Sequence, residues 1–113
     1  MLVVSRFAVP PERGEDFAVR ARTALAALAA RPGYRRGQLG RSVDEPEYWC
    51  LVTEWESIGT YRRALSAYEV KVHATPLLAE SIDEPSGYEV LARTDESGEV
   101  VTATSDRAER PHR

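Results

Sequence analysis

Trp55, Tyr61 and His73 are the side chains best suited to chemistry in this chain, and they lie close together in the sequence. Trp55 ends an apolar strand, Tyr61 falls six residues later on the inner stripe of a helix, and His73 follows on its extension. Strand side chains alternate, so Trp49, Leu51 and Thr53 share the side of Trp55. Ser5, with Val3 and Phe7, faces the same space from the first strand, and Leu65 and Tyr68 continue the stripe of Tyr61. These residues outline an apolar cleft with a few convergent polar atoms, the profile of a small-molecule site. An imidazole with an ordinary pKa of about 6.5 suits a proton shuttle. Each residue also has a packing role open to it: the tryptophans and Tyr68 in the core, Tyr61 at its edge with the hydroxyl in water, Ser5 within its strand, His73 on a helix surface. There is no paired His or Cys spacing for a metal, no glycine-rich phosphate loop and no nucleophile elbow.

The elements that must position these side chains follow from periodicity and punctuation. Residues 1–9 alternate as a strand, which Pro10 and Pro11 stop. Residues 12–31 change to helical spacing, with Phe17, Ala21, Ala24, Leu25 and Leu28 on one face, until Pro32-Gly33. Residues 35–42 and 48–55 form a hairpin across Asp44-Glu45-Pro46. Ser57 caps a second helix whose stripe is Ile58, Tyr61, Leu65 and Tyr68, and Pro76 breaks its continuation before a short piece with Leu77, Leu78 and Ile82. A turn at residues 84–87 leads to a closing strand over 88–93. The order is βαββαβ, an α+β ferredoxin-like arrangement with a four-stranded antiparallel sheet and both helices on one face. Residues 1–93 make the domain. Residues 94–113 form an extension with a possible strand over 99–104 and a loose, charged end.

The other sheet face carries Leu2, Val4, Cys50 and Val52, too apolar to stay wet, and a second copy packed sheet to sheet is the expected cover. A chain of 113 residues buries enough surface for one core. Its single cysteine, Cys50, excludes an internal disulfide, and no apolar run nears the length of a membrane helix, so a cytoplasmic protein is expected. A formal charge of -3 argues against a nucleic-acid partner, although Arg35, Arg36 and Arg41 lie close together on the second strand.

The layout, with Pro32-Gly33-Tyr34, the strand end Trp55-Glu56-Ser57 and the following Tyr61-Arg62, resembles the antibiotic biosynthesis monooxygenase group of dimeric α/β-barrel proteins over residues 1–93. The resemblance implies a homodimer whose sheets form a barrel, a pocket in each subunit between sheet and helices, and oxidation of polycyclic phenols by dioxygen without metal, flavin or other cofactor. It implies Trp55 as a wall and Tyr61 as a hydroxyl that donates or relays a proton, with His73 as a further catalytic candidate. Ser5, Phe7, Trp49, Leu51, Thr53, Leu65 and Tyr68, which strand alternation and helical spacing place around the same cleft, are the expected substrate contacts. Members of this type place an asparagine four residues before the tryptophan, where this chain has Leu51. Haem-degrading relatives use a first-strand asparagine, a second-helix tryptophan and an axial histidine. Here Ser5 and Ala64 stand near the first two positions and His73 near the third, and with no asparagine in the chain haem degradation is not expected. A binding or accessory dimer without catalysis is the alternative.

Overall fold

The computed structural model describes residues 1–103. β1 (Leu2–Ala8) buries Val3, Ser5 and Phe7 and leaves the alternate residues more open, as its sequence pattern requires. A single 3₁₀ turn at Pro11–Arg13 leads into α1 (Gly14–Ala29), which buries Phe17, Ala21, Ala24 and Leu28. β2 (Tyr34–Arg41) and β3 (Tyr48–Trp55) form the hairpin, and β3 lies in the middle of the sheet. Then come α2 (Ile58–Leu65), α3 (Tyr68–His73), α4 (Thr75–Leu78) and β4 (Gly87–Tyr88). The strand order is β2-β3-β1-β4, with each neighbouring pair antiparallel. The core forms where the inner faces of β1 and β3 meet α1 and the later helices, with Phe7, Leu28, Trp55, Val70 and Leu77 at its centre. No helix among the described residues is long and apolar enough to cross a membrane.

Two expectations need correction. The inner stripe of the second helix does not reach Tyr68. α2 closes at Ser66, whose N–H returns to the carbonyls of Ala64 and Arg63, and Ala67 is extended with ψ 143°. The helix therefore restarts with Tyr68 as its first residue, 75% exposed, and the inward positions pass to Val70, Ala74 and Leu77. The closing strand is also shorter than residues 88–93. Tyr88 already pairs with Leu2, the first residue of β1, so the antiparallel ladder has no partner left beyond it. The chain leaves the sheet, and β5 (Ala92–Thr94) pairs instead with β6 (Val100–Thr102) in a separate two-stranded ribbon. Its turn contains Gly98 at φ 82°, a conformation suited to glycine. The ribbon realises part of the strand expected over 99–104, while Thr104 and the end expected over 105–113 lie outside the described residues.

Candidate functional site

The junction that closes β3 and opens α2 is built from short-range rules. Ser57 accepts the Thr60 N–H at 3.1 Å, and Thr60 Oγ1 accepts the Ser57 N–H at 3.2 Å, a reciprocal cap that starts α2 sharply. Gly33 packs directly beneath this cap. Its φ is 90°, and a Cβ there would stand 2.3 Å from Thr60 Cβ, so only glycine allows the approach. The Gly33 carbonyl accepts the Glu56 N–H at 2.7 Å, which ties the start of β2 to the end of β3. The Pro-Gly-Tyr and Trp-Glu-Ser segments are thus two halves of one joint.

That joint fixes an aromatic trio. Trp55 is completely buried, and its indole N–H donates to Thr53 Oγ1 at 2.9 Å. Tyr34 meets the indole edge-on at 5.4 Å between ring centroids, and Tyr61 packs tilted on it, also at 5.4 Å. Tyr34 reaches this side of the sheet because a bulge between Tyr34 and Arg36 inserts Arg35 as an extra residue and reverses the alternation. Gly37 leaves room for it, since a Cβ there would lie 2.5 Å from the Tyr34 hydroxyl. Burial pushes the Tyr61 phenol above its ordinary pKa, and that of Tyr34 in the same direction. Both hydroxyls therefore keep their protons at neutral pH and act as donors. Among the described residues no side-chain hydrogen bond engages the Tyr61 hydroxyl. At the same end of β3, the terminal ammonium of Met1 donates to the Trp55 carbonyl at 3.0 Å, and a polar cavity of about 120 Å³ is bounded by Met1, Arg35, Trp55 and Arg93.

Of the residues expected in the site, Thr53, Trp55 and Tyr61 come together. Trp49 and Phe7 belong to a second cluster, in which Phe17 lies 5.0 Å from Phe7 and 5.2 Å from Trp49, with the Arg41 guanidinium 5.3 Å from the Trp49 ring. The two tryptophans stand six positions apart, about 20 Å along β3. Ser5 and Leu51 face each other in register between the clusters, and both are buried. Leu65 is half-buried against the core. His73 is exposed, with Nε2 3.4 Å from Glu69 Oε1, and lines a surface groove of about 210 Å³ with Val19 and Val72 rather than the trio. Tyr34, Gly33 and Thr60 were not expected in the site. The signal for Tyr34 was the adjacent pair Arg35-Arg36, two charged residues in a row where strict alternation would place only one on the outer face. No group of three or more His, Cys, Asp or Glu among the described residues is arranged to hold a metal ion.

The comparisons bear on the family and the fold. SnoaB, a cofactor-independent oxygenase from Streptomyces nogalater, solved as an Asn-to-Ala variant, is 31% identical, with a TM-score of 0.62 over 72% of this chain and 82% of that one. A second SnoaB structure gives 30% identity and a TM-score of 0.55 over the same shares, 72% and 82%. A conserved protein from Methanosarcina mazei Go1 shares the fold at 21% identity, with a TM-score of 0.62 over 76% of this chain and 84% of that one. No curated protein matches the chain. The family model for antibiotic biosynthesis monooxygenases matches residues 1–75, which span β1 to the start of α4 and include the whole Gly33–Trp55–Tyr61 joint, and the chain belongs to that family.

Proposed function

We propose that this chain is a cofactor-independent monooxygenase that acts as a homodimer and oxidises an aromatic, polyketide-like phenol or anthrone with dioxygen. The observation that carries this reading is Tyr61: a protonated phenol, half-buried against Trp55, with no side-chain hydrogen bond among the described residues to occupy it. Family membership and the likeness to SnoaB support it. The substrate supplies the electrons. Loss of a proton from an anthrone carbon gives an enolate, which passes one electron to dioxygen; recombination of the radicals forms a peroxide, and its collapse yields a quinone and water. The protein's part is a dry aromatic wall and a donor for the oxygen that gains charge. Trp55, held by Thr53 and flanked by Tyr34, serves as the wall, and Tyr61 as the donor.

The test is oxygen uptake by metal-free protein with anthrones and hydroquinones. Tyr61→Phe is expected to lower the rate about 100-fold, within the range of a lost proton donor, while leaving the melting temperature nearly unchanged. Undiminished turnover in that variant would remove Tyr61 from the mechanism. A second reading, a dimer that binds a small hydrophobic ligand without turnover, draws on Leu51, which stands 2% exposed where the resemblance calls for an asparagine, and on the complete burial of Trp55. Tryptophan fluorescence quenching by an anthrone with no oxygen uptake is its signature; any reproducible turnover excludes it.

A further inference from the structure

β2 departs from regular strand geometry twice, and both departures make room for one side chain. The bulge between Tyr34 and Arg36 turns Tyr34 to the helix side of the sheet, in register with Trp55. Three residues on, Gly37 stands in register with Thr53, and a Cβ there would lie 2.5 Å from the Tyr34 hydroxyl, 2.7 Å from Leu25 Cδ1 and 3.2 Å from Thr53 Cγ2. A bulge disrupts the ladder and a glycine inside a strand weakens it. Packing of the ring on Trp55 accounts for the bulge. It does not account for Gly37, because the first atom that a Cβ would meet is the hydroxyl. The phenol therefore runs along the inner face from the row of Trp55 to the row of Thr53, and its oxygen lies between β2 and α1 beside two apolar side-chain ends. Tyr34 is half-buried, and no hydrogen bond among the described residues occupies its hydroxyl.

Two phenols thus flank one indole, Tyr34 edge-on and Tyr61 tilted, each 5.4 Å from it between ring centroids. The chemistry of an anthrone has work for both. When the C–H bond breaks, its electron pair enters the enolate, the ketone oxygen takes up negative charge and the proton leaves to water. The oxygen that gains charge in the next step is a different atom, one from dioxygen. One donor cannot serve both oxygens. A neutral phenol among apolar atoms suits the first, since its hydrogen bond strengthens as the oxyanion develops. Burial also keeps the Tyr34 proton in place.

We propose that the Tyr34 hydroxyl donates to the enolate oxygen of the substrate, so that the β2 bulge and Gly37 set the acidity of the bound aromatic ketone while Tyr61 serves the oxygen from dioxygen. This rests on the reaction proposed above and adds a second donor to it. Titration of anthrone bound to the full chain without oxygen, followed by enolate absorbance, isolates the ionisation step. The unaltered chain is expected to lower the pH at which anthrone ionises. Tyr34→Phe, which keeps the ring on Trp55, is expected to raise it by about one unit and to lower kcat for oxygen uptake about tenfold or more. Tyr61→Phe moves the titration less. Gly37→Ala, whose methyl takes the place of the hydroxyl, shifts the titration in the same direction as Tyr34→Phe and adds nothing in that background. Far-UV circular dichroism and melting temperature read the fold of each variant separately. An ionisation that Tyr34→Phe leaves unmoved overturns the assignment, whether or not oxygen is consumed. A shift that depends on Tyr34 with no oxygen uptake overturns the monooxygenase reading and keeps Tyr34 as a ligand contact. Equal shifts in Tyr34→Phe and Tyr61→Phe overturn the division of work between the two phenols.

Discussion

Replacing Thr53 by valine keeps the shape of the side chain and removes the oxygen that accepts the Trp55 indole N–H. Because Trp55 is fully buried, that N–H has no water to turn to, and the expected loss is about 1–3 kcal/mol in urea denaturation, the cost of an unsatisfied buried donor. In a Trp55→Phe background the loss from Thr53→Val should shrink, since the indole donor is then gone; equal losses in Thr53→Val with and without Trp55→Phe would show that the hydrogen bond is not what Thr53 contributes. The tyrosines around Trp55 make a prediction of opposite chemical sense. Burial disfavours the phenolate of Tyr61 and Tyr34, so their folded pKa values lie above the ordinary tyrosine value of about 10. Below about pH 10 both states hold these protons and the contribution is fully present; above it the unfolded chain ionises first, and stability is lost as pH rises through the folded pKa. Denaturation midpoints should therefore fall as the pH rises above about 10, and fall less in Tyr61→Phe. A decline of the same size in that variant would assign the alkaline loss to other groups.

At the scale of elements, the critical piece is the contact between the turn that opens β2 and the cap that opens α2. Gly33→Ala places a methyl inside the volume of Thr60 and holds a non-glycine residue at φ 90°, so the cost combines overpacking with backbone strain, about 3 kcal/mol or more. Thermal unfolding measures it, and a change below about 1 kcal/mol would mean that the turn relaxes without disturbing the cap. This joint explains why some of the site was legible in the sequence and some was not. Strand alternation places Thr53 beside Trp55, and helical spacing brings Tyr61 back to it; both rules act over a few residues and needed no tertiary knowledge. Tyr34 obeys neither, because a single inserted residue, Arg35, reverses the side it faces. His73 and Tyr68 depend on where α2 ends, and that break at Ser66 and Ala67 carries no proline or glycine to announce it. The length of β4 was hidden for another reason: it is limited by where β1 begins, some eighty residues earlier in the sequence, and no local pattern in residues 88–93 records that limit.

For the molecule as a whole, the sheet has one finished face and one unfinished face. The finished face packs Phe7, Leu51 and Trp55 beneath the helices, and its stability belongs to the single chain. The unfinished face leaves Leu2, Val4, Cys50 and Val52 half-exposed, beside a ribbon whose strand residues are all exposed and whose backbone ladder is only three residue pairs long. Three pairs held to the domain mainly through Glu54 cannot protect their amides for long, because local opening of so small a unit costs little free energy. If a second copy buries the ribbon, opening it also breaks the contact between subunits, and protection then rises with protein concentration by mass action. Hydrogen exchange across a dilution series separates these cases within one sample. Amides of β3 should exchange at a rate independent of concentration in the range where the chain stays folded. Those of β5 and β6 should slow as the dimer forms, and Val101→Asp should hold them at the fast, dilute rate throughout. Ribbon amides that exchange equally fast in the dimer and the monomer would mean that the subunits meet elsewhere, and that the ribbon and its valines are left facing water in the assembled protein.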